Sequence, residues 1–380
     1  MSFIPLAIPN TGEREARNLQ ACIETNFVSS VGAFVNEFEE RIAALSGTAS
    51  GVAMGAGTQA LHISLLASDI GQGDLVILPS FTFIASANAI SHAGATPWLM
   101  DIERDSWTLD PGQVREALES QTERRSGVLR HKATGMRVAA IMPVYTLGTP
   151  ASMKAINEIA KEYGLLVIAD AAAAIGVSYQ EQPIGAVADL TCYSFNGNKT
   201  ITCGGGGMIV GSDEQLMGRA RHLSTTARAT ANYEHDMVGY NYRMTNVQAA
   251  IGCAQLDRLD DFLTAKRKIR DAYREAFEGQ SGVELFPEPE DRTSTCWFSG
   301  LILDSQERVS MVCSELREQS IEARPFWMPV HQQAPYRRAL SEAMPTTEEL
   351  WSRIVTLPCS TSLDAADQQR VIEAVRAAIK

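Results

Sequence analysis

Short apolar runs alternate with helix-like segments through roughly the first two thirds of the chain. Several runs, such as DLVILPS (74–80) and LLVIAD (165–170), are apolar at successive positions, which is typical of strands buried on both faces of a parallel sheet. The segment MKAINEIAKEYG (153–164) has helical spacing and ends at Gly164, which predicts a glycine cap. This alternation predicts an α/β layer fold with a large, mostly parallel sheet.

The pattern changes at Asn246. Residues 246–277 read as one long amphipathic helix, and the sequence beyond them mixes helices with short strands such as WFSGLIL (297–303). The length of 380 residues also favours two domains over one. We therefore predict a large sheet domain over residues 1–245, and an interdomain helix with a small α+β domain over residues 246–380.

Composition argues against several classes of protein. The formal net charge is −12, so the chain gains no counterion-release energy from binding nucleic acid or an anionic membrane. The seven cysteines lack CxxC spacing and the six histidines form no HExxH pattern, which argues against a metal site and a disulfide framework. Reduced thiols, the absence of a signal-peptide pattern and the absence of a membrane-spanning apolar run predict a cytoplasmic protein.

Candidate binding residues follow the predicted strands, where open α/β sheets bind their ligands. Gly57 and Thr58 open a helix, and the amides at a helix start form a phosphate site, although a plain helix cap is an equal alternative. Phe81 and Phe83 lie two apart and would share one side of an extended segment. One of the rings could stack on a flat ligand, but packing in the core is the usual fate of such a pair.

Asp170 and Lys199 follow two later strands, and the 199 − 170 = 29 residues between them are about one strand–helix–strand step. Each has an ordinary alternative, since the carboxylate could cap a helix and the lysine could lie solvated at a hairpin tip. Ser194 precedes the lysine. The glycines of 204–207 lead into a strand rather than a helix, so they are not a dinucleotide-binding loop and favour a positive φ or a close backbone approach.

A phosphate cradle, an aromatic ring, an acid and a lysine, each after a strand, form the set that pyridoxal phosphate requires. A partly desolvated lysine bonds the aldehyde of this cofactor as a Schiff base. A carboxylate keeps the pyridine nitrogen protonated, which makes the ring an electron sink. The pattern therefore predicts a pyridoxal phosphate site.

The chain resembles the DegT/DnrJ/EryC1/StrS group of nucleotide-sugar aminotransferases over nearly its whole length. No single segment is specific, but the agreement in order over many segments is highly specific. The segments that carry the resemblance are TNFVSSVGAFVNEFEE, GTQALHISLLA, PSFTFIASANAISHAGATPWLMDI, DAAAAIG, SFNGNK with GGGGMIV, VGYNYRMTNVQAAIGCAQLDRL and IEARPFWMPVH.

The resemblance implies the aspartate-aminotransferase fold, which is fold type I of pyridoxal phosphate enzymes, and it implies roles for matching residues. Lys199 matches the Schiff-base lysine, and Asp170 matches the acid paired with the pyridine nitrogen. Phe83 matches the residue that stacks on the cofactor ring.

The same resemblance assigns the phosphate group. Gly57, Thr58 and Ser194 match phosphate ligands. Asn241 matches an asparagine that reaches the phosphate of the neighbouring subunit's cofactor, which implies a homodimer with composite active sites.

Three positions depart from the family's usual pattern. Ala173 stands where a glutamine, glutamate or histidine commonly faces the cofactor, which changes the hydrogen bonding expected around the ring. Thr245 stands in place of a proline, which suggests a structural change. Met328 replaces a lysine near the C-terminal end of the chain, where substrate recognition is one possible consequence.

The implied reaction transfers an amino group from L-glutamate, leaving 2-oxoglutarate, to a ketosugar linked to a nucleotide. We expect the C4 keto group of a UDP-linked 4-keto-6-deoxy-N-acetylhexosamine, used for surface glycans such as lipopolysaccharide. GDP-4-keto-6-deoxymannose (perosamine-type) is the second expectation, and a 3-ketosugar is a further alternative. Arg243, Arg324 and His331 are candidates for binding the diphosphate, and ordinary surface or interface charge is the alternative for each.

Two other classes share this scaffold. A sugar dehydratase resembles the chain but carries histidine at the position of Lys199, so the lysine argues against it. A catalytically silent regulator would explain Ala173, but the presence of both Asp170 and Lys199 argues against that reading.

Overall fold

The computed structural model describes residues 2–379. Within that range the helices are α1 (Glu13–Thr25), α2 (Ala33–Leu45), α3 (Gly57–Ala67), α4 (Ala85–His92), α5 (Pro111–Gln121), α6 (Met153–Tyr163), α7 (Glu214–Ser224), α8 (Asn246–Leu256), α9 (Leu259–Phe277), α10 (Gln306–Glu318), α11 (Pro345–Leu350) and α12 (Ala365–Ala378). The strands are β1 (Ser50–Met54), β2 (Asp74–Pro79), β3 (Thr96–Met100), β4 (Thr122–Arg125), β5 (Val128–His131), β6 (Arg137–Ile141), β7 (Leu166–Asp170), β8 (Ser178–Tyr179), β9 (Gln182–Pro183), β10 (Leu190–Ser194), β11 (Gly207–Gly211), β12 (Val283–Leu285), β13 (Ser299–Leu303), β14 (Arg324–Pro325), β15 (Leu340–Ser341) and β16 (Ile354–Leu357).

One mixed sheet forms the centre of the larger part of the molecule. Its strand order is β1-β11-β10-β7-β6-β2-β3-β15, and the hairpin β4–β5 joins it beside β6. Strand β11 is antiparallel to both neighbours, whereas the strands from β10 to β15 along this order pair in parallel. The predicted α/β fold with a mostly parallel sheet is confirmed, and the carboxyl ends of β1, β2, β6, β7 and β10 lie at one edge.

Both faces of this sheet are covered by helices. The apolar run in β2 shows why, because Leu75 and Ile77 pack into the core beneath α2, α5 and α6, while Val76 and Leu78 pack into the core beneath α3 and α4. All four side chains are fully buried. A strand that is apolar at successive positions therefore packs its side chains into a core on each face of the sheet, as its sequence predicts.

A second, antiparallel sheet with the order β12-β13-β16-β14 forms the smaller part, and α9, α10 and α12 pack against it. The chain crosses between the two parts more than once. Ile4 pairs with Ile321 in the smaller part, and β15 returns to the edge of the large sheet. The division at residue 245 stays a prediction.

The single long helix expected over 246–277 is wrong, because two helices, α8 and α9, meet at a break. The side chains at the break are held by other parts of the chain. Asp257 accepts a hydrogen bond of 2.7 Å from Arg41, and Arg258 donates one of 3.1 Å to the side chain of Asn10. These long-range contacts hold the chain at the break, where the local apolar spacing predicted continuation.

Thr245 begins α8 with a capping box. Its backbone N–H donates to the side chain of Gln248 at 2.9 Å, and its hydroxyl accepts from the Gln248 backbone N–H at 3.4 Å. This arrangement satisfies two backbone donors that a helix start otherwise leaves unpaired. The departure from proline at this position therefore has a structural explanation.

We expect Thr245→Ala to lower the free energy of unfolding by about 1 kcal/mol, because the first turn of α8 loses its cap. The measurement is the shift of the urea unfolding midpoint. Thr264→Ala is the matched control, since Thr264 is exposed within α9, where alanine favours the helix. Equal midpoints for the two variants would contradict a capping role.

Candidate active site

A pocket opens at the carboxyl edge of the large sheet and is closed on its other side by residues of the smaller part. Its lining comes from segments that follow β1, β2, β6, β7 and β10, together with residues around β13 and β14. Six of the residues predicted to bind the cofactor lie together here, namely Gly57, Thr58, Phe83, Asp170, Ser194 and Lys199.

The start of α3 forms one end of this pocket. Gly57 is the first residue of the helix, and the residue before it makes no side-chain cap. A Cβ atom on Gly57 would lie 2.7 Å from the Cβ of Ser194, so only glycine fits against this serine. Bare amides of a helix start beside two hydroxyls, of Thr58 and Ser194, form a cradle suited to a phosphate group.

The glycine run contributes to the same cradle. Gly204 has a φ of 77°, which lies in the left-handed region that favours glycine. A Cβ on Gly207 would lie 2.5 Å from the carbonyl oxygen of Ala56 and 2.7 Å from the amide nitrogen of Gly57. Both effects predicted from the sequence, a positive φ and a close backbone approach, therefore occur in this run.

Asp170 ends β7 and is only 5% exposed. One carboxylate oxygen accepts a hydrogen bond of 2.7 Å from the Ser86 hydroxyl, and the other accepts one of 3.0 Å from the backbone N–H of Ala172. Burial raises the pKa of this carboxyl group, while the two hydrogen bonds and the nearby Lys199 oppose that rise. The acid is held in one orientation and lines the pocket.

Lys199 is half-buried and its side chain lines the pocket. Burial lowers the pKa of its amine to about 7, and the negative charge of Asp170 opposes this lowering. A lysine in such surroundings is neutral in a large fraction of molecules near pH 7, as a nucleophilic amine must be. The alternative of a solvated lysine at a hairpin tip does not describe this residue.

The two phenylalanines predicted to share one side of an extended segment do not do so, because residues 80–82 bend. Phe81 is buried and stacks on Phe326, with ring centroids 4.9 Å apart. Phe83 lines the pocket and is 53% exposed. Phe83, which the resemblance matches to the residue that stacks on the cofactor, is therefore the phenylalanine whose ring is exposed to the pocket.

The remaining predicted residues lie in different places. Arg324 lines the pocket and donates through its Nε to the Glu322 carboxylate at 2.9 Å. Arg243 and His331 do not line it, and His331 bonds the Ser80 hydroxyl at 2.7 Å instead. Asn241 is exposed and lies outside the pocket of its own chain.

Ala173 lines the pocket, and its methyl group forms part of an apolar wall. Its carbonyl accepts a hydrogen bond of 2.7 Å from the Thr295 hydroxyl. The hydrogen bonds of Asp170 come from Ser86 and Ala172, so the acid keeps its orientation without a polar side chain at position 173.

Sequence reasoning missed several residues of this pocket. Ser86 had no signal beyond being a serine near a predicted strand. Four aromatic residues of the smaller part come from segments more than a hundred residues away along the chain from Asp170, and tryptophan or phenylalanine in such segments normally predicts core. The missed aromatic lining consists of these four, Trp297, Phe298, Phe326 and Trp327, together with Tyr145, which follows β6.

The residues present fit pyridoxal phosphate. At the start of α3 the bare backbone of Gly57 lies close against Ser194, and the uncapped amides of this helix start suit the phosphate group. The buried carboxylate of Asp170 suits a protonated pyridine nitrogen, and Lys199 supplies the amine that bonds the aldehyde. When bound, the cofactor supplies an electron sink for amino-group transfer.

Comparison with known proteins shows the family of this chain. The pattern of the DegT/DnrJ/EryC1/StrS aminotransferase family matches residues 9–376. The chain belongs to this family. Its enzymes are pyridoxal phosphate-dependent nucleotide-sugar aminotransferases, so this chain is a transferase of nitrogenous groups that uses the same cofactor.

Individual relatives are similar over almost the full chain. GDP-perosamine synthase of Escherichia coli O157:H7 is 35% identical over 364 residues, which cover 96% of this chain and 95% of the relative. GDP-perosamine synthase of Caulobacter vibrioides is 35% identical over 377 residues, covering 98% and 97%. The crystal structure of DesV from S. venezuelae has 30% identity and a TM-score of 0.86, covering 96% and 94%.

The aminotransferase has no helix, among the residues described here, that combines the length and apolar character needed to cross a bilayer.

The lowered pKa of Lys199 predicts how the aminotransferase takes up its cofactor. Only the neutral amine attacks an aldehyde. When pyridoxal phosphate is added to cofactor-free protein, we therefore expect the rate of Schiff-base formation to rise through about pH 7 and to level off above about pH 8. Stopped-flow absorbance measures this rate. A free lysine derivative in the same buffers is the control, and its rate should keep rising towards about pH 10; the same rise in the protein would contradict a desolvated Lys199.

Proposed function

We propose that this aminotransferase transfers the amino group of L-glutamate to the C4 keto group of GDP-4-keto-6-deoxymannose. The observation that carries this choice is the 35% identity, over nearly the whole chain, to two enzymes named for the synthesis of GDP-perosamine. A pocket with the exposed Arg324 in its lining and a largely apolar wall suits a sugar that bears no carboxylate.

Lys199 carries out the proton transfers in this proposal. Its amine, displaced by the amino donor, would take up at Nζ the proton lost from the donor's α-carbon and would deliver it to the former aldehyde carbon of the cofactor. Asp170 holds the pyridine nitrogen in its protonated form, and the start of α3 with Ser194 and Thr58 binds the phosphate. Phe83 is the proposed stacking partner of the cofactor ring.

The UDP-linked 4-keto-6-deoxy-N-acetylhexosamine expected first from the sequence becomes the second candidate. It rests on the resemblance of TNFVSSVG, SFNGNKTITCGGGGMIV and the STTA segment (224–227) to enzymes of that subgroup. The GDP-linked sugar takes its place because the similarity to GDP-perosamine synthases extends over the whole chain.

Arg324 is the proposed contact for the nucleotide diphosphate, because it lines the pocket and is exposed. Its partner Glu322 also accepts a hydrogen bond of 2.9 Å from the backbone N–H of Leu6, so the carboxylate keeps a partner when the arginine turns towards a ligand. Arg243 and His331 remain weaker proposals, since both lie outside the pocket lining within one chain.

We also propose a homodimer in which Asn241 reaches the neighbouring cofactor. Two exposed apolar groups support it, with Phe27 and Val31 in one and Tyr233 and Val238 in the other. The backbone N–H of Asn246 donates to the carbonyl oxygen of residue 29 at 2.6 Å, so the first group lies beside the chain segment that carries Asn241. Exposed apolar side chains of this kind mark protein interfaces.

The cysteines are all unpaired and buried, which suits the proposed cytoplasmic location.

The function is tested with purified protein loaded with pyridoxal phosphate. L-Glutamate alone should shift the visible absorption band to shorter wavelength, and GDP-4-keto-6-deoxymannose should restore it with formation of an aminated sugar seen by mass spectrometry. Preference for the UDP-linked sugar would select the second candidate. A protein that neither responds to glutamate nor aminates a ketosugar would overturn the proposal.

Lys199→Ala should lower turnover by at least about a thousandfold, because no other group in the pocket replaces the amine that moves the proton. The measurement is steady-state amination of the sugar with L-glutamate, together with the melting temperature. Lys161→Ala, at an exposed lysine of α6, is the control and should keep wild-type turnover. Wild-type turnover in Lys199→Ala would refute the role.

Mixed dimers test the composite site. Lys199→Ala and Asn241→Asp should each be nearly inactive, the second because it brings a negative charge towards the cofactor phosphate. When the two variants are co-expressed, about half of the dimers are mixed, and one of the two sites in each mixed dimer has both an intact lysine and an intact asparagine. Activity should therefore recover to roughly a quarter of that of the wild-type protein. No recovery in purified mixed dimers would contradict a site shared between subunits.

A further inference from the structure

Trp297 covers the amine of Lys199. The Nζ atom lies 3.4 Å from the centroid of the indole ring, over its face. Trp297 is 5% exposed and precedes β13, so it reaches the lysine from the smaller part of the molecule. No step of the proposed reaction uses this ring.

The same tryptophan also holds the main chain next to the lysine. Its indole N–H donates a hydrogen bond of 2.6 Å to the carbonyl oxygen of Asn198, the residue directly before Lys199. Its own backbone N–H donates to the carbonyl of Leu147 at 3.0 Å. One side chain therefore fixes both the backbone that carries the lysine and the position of the amine.

A buried lysine holds the tryptophan in place. Lys266 in α9 is 3% exposed, and its ammonium group donates to the carbonyl oxygens of Trp297 at 2.8 Å and Cys359 at 2.6 Å. The Trp297 ring also stacks on Phe298, with centroids 4.3 Å apart. Because its backbone and its ring are both held, the indole face has a defined position in the pocket.

The face of an indole ring attracts a cation, and the attraction is largest where water is excluded. Burial around Lys199 acts in the opposite direction, since it disfavours the ammonium form. The other titratable groups that line the pocket are Asp170 from β7, Tyr145 after β6 and Arg324 in β14. Among these, Asp170 is the charge that acts on Lys199.

We propose that Trp297 is a positioning residue that receives the released amine of Lys199 and holds it as an ammonium ion between its two proton transfers. The proton taken up at Nζ then stays on a group that is fixed in place until it is passed on. This inference rests on the proposed function for its place in the reaction, but its test requires neither an amino donor nor a sugar.

The test measures the pKa of the free Lys199 amine in full-length protein loaded with pyridoxamine phosphate, a form in which Lys199 is not bonded to the cofactor. Brief acetic anhydride labelling over a pH series, with mass spectrometry of the peptide that contains Lys199, gives this pKa. In Trp297→Leu it should fall by about one unit, because the cation loses the ring while the site stays apolar. In Trp297→Phe, which keeps a ring face, the fall should be smaller.

Fluorinated tryptophan inserted only at position 297 separates electrostatics from shape. Fluorine withdraws charge from the ring face and leaves the indole N–H bond to Asn198 in place, so the pKa should fall further with each added fluorine. If Trp297→Leu does not fold, the protein with fluorinated tryptophan at position 297 still tests whether the ring face stabilises the ammonium form of Lys199. Trp351→Leu, at a tryptophan of the same apolar cluster outside the pocket, is the control and should leave the pKa unchanged.

An unchanged or higher pKa of Lys199 in both the leucine and the fluorinated proteins would overturn the proposal and leave Trp297 a purely structural role. The result is independent of the sugar assay. A protein that fails to aminate any ketosugar still yields this pKa, so failure of the proposed function and failure of this inference are distinguishable.

Discussion

The burial of Asp170 and the partial burial of Lys199 are the constraint on which the rest of the site depends. Burial shifts the two pKa values in opposite directions, lowering that of the amine and raising that of the carboxyl group. Neither group tolerates such surroundings without partners, since an unpaired buried charge is costly. Ser86 and the backbone of Ala172 supply partners for the acid, and the face of Trp297 lies against the amine.

The walls that exclude water come from parts of the chain that are far apart in sequence. The carboxyl ends of five strands supply the floor of the pocket, and residues around β13 and β14 supply the cover. The buried ammonium group of Lys266 and the Thr295 hydroxyl, which bonds the carbonyl of Ala173, attach this cover to its surroundings. Trp297 is the residue through which the smaller part of the molecule contacts Lys199.

Substrate choice depends on a different set of residues from the chemistry. The residues proposed to bind the cofactor are those that the resemblance to the family assigns, and they do not distinguish one nucleotide sugar from another. The aromatic and apolar lining together with Arg324 faces the remaining space. Similarity to GDP-perosamine synthases favours a GDP-linked sugar, whereas the local motifs suggested a UDP-linked one. The full-length similarity covers the lining from the smaller part, which the short motifs do not.

The sequence by itself determined the α/β fold, the strands of the large sheet, the glycine-lined cradle and the pair of Asp170 and Lys199, because these follow from local apolar patterns and from residues placed directly after strands. Only the tertiary structure decided that Phe81 turns into the core while Phe83 faces the pocket, that the helix breaks at Asp257, and that Trp297 covers Lys199. Each of these depends on contacts between residues distant along the chain. Local sequence carries no record of such contacts, since the same side chains in the same local pattern would satisfy an ordinary core or an unbroken helix equally well.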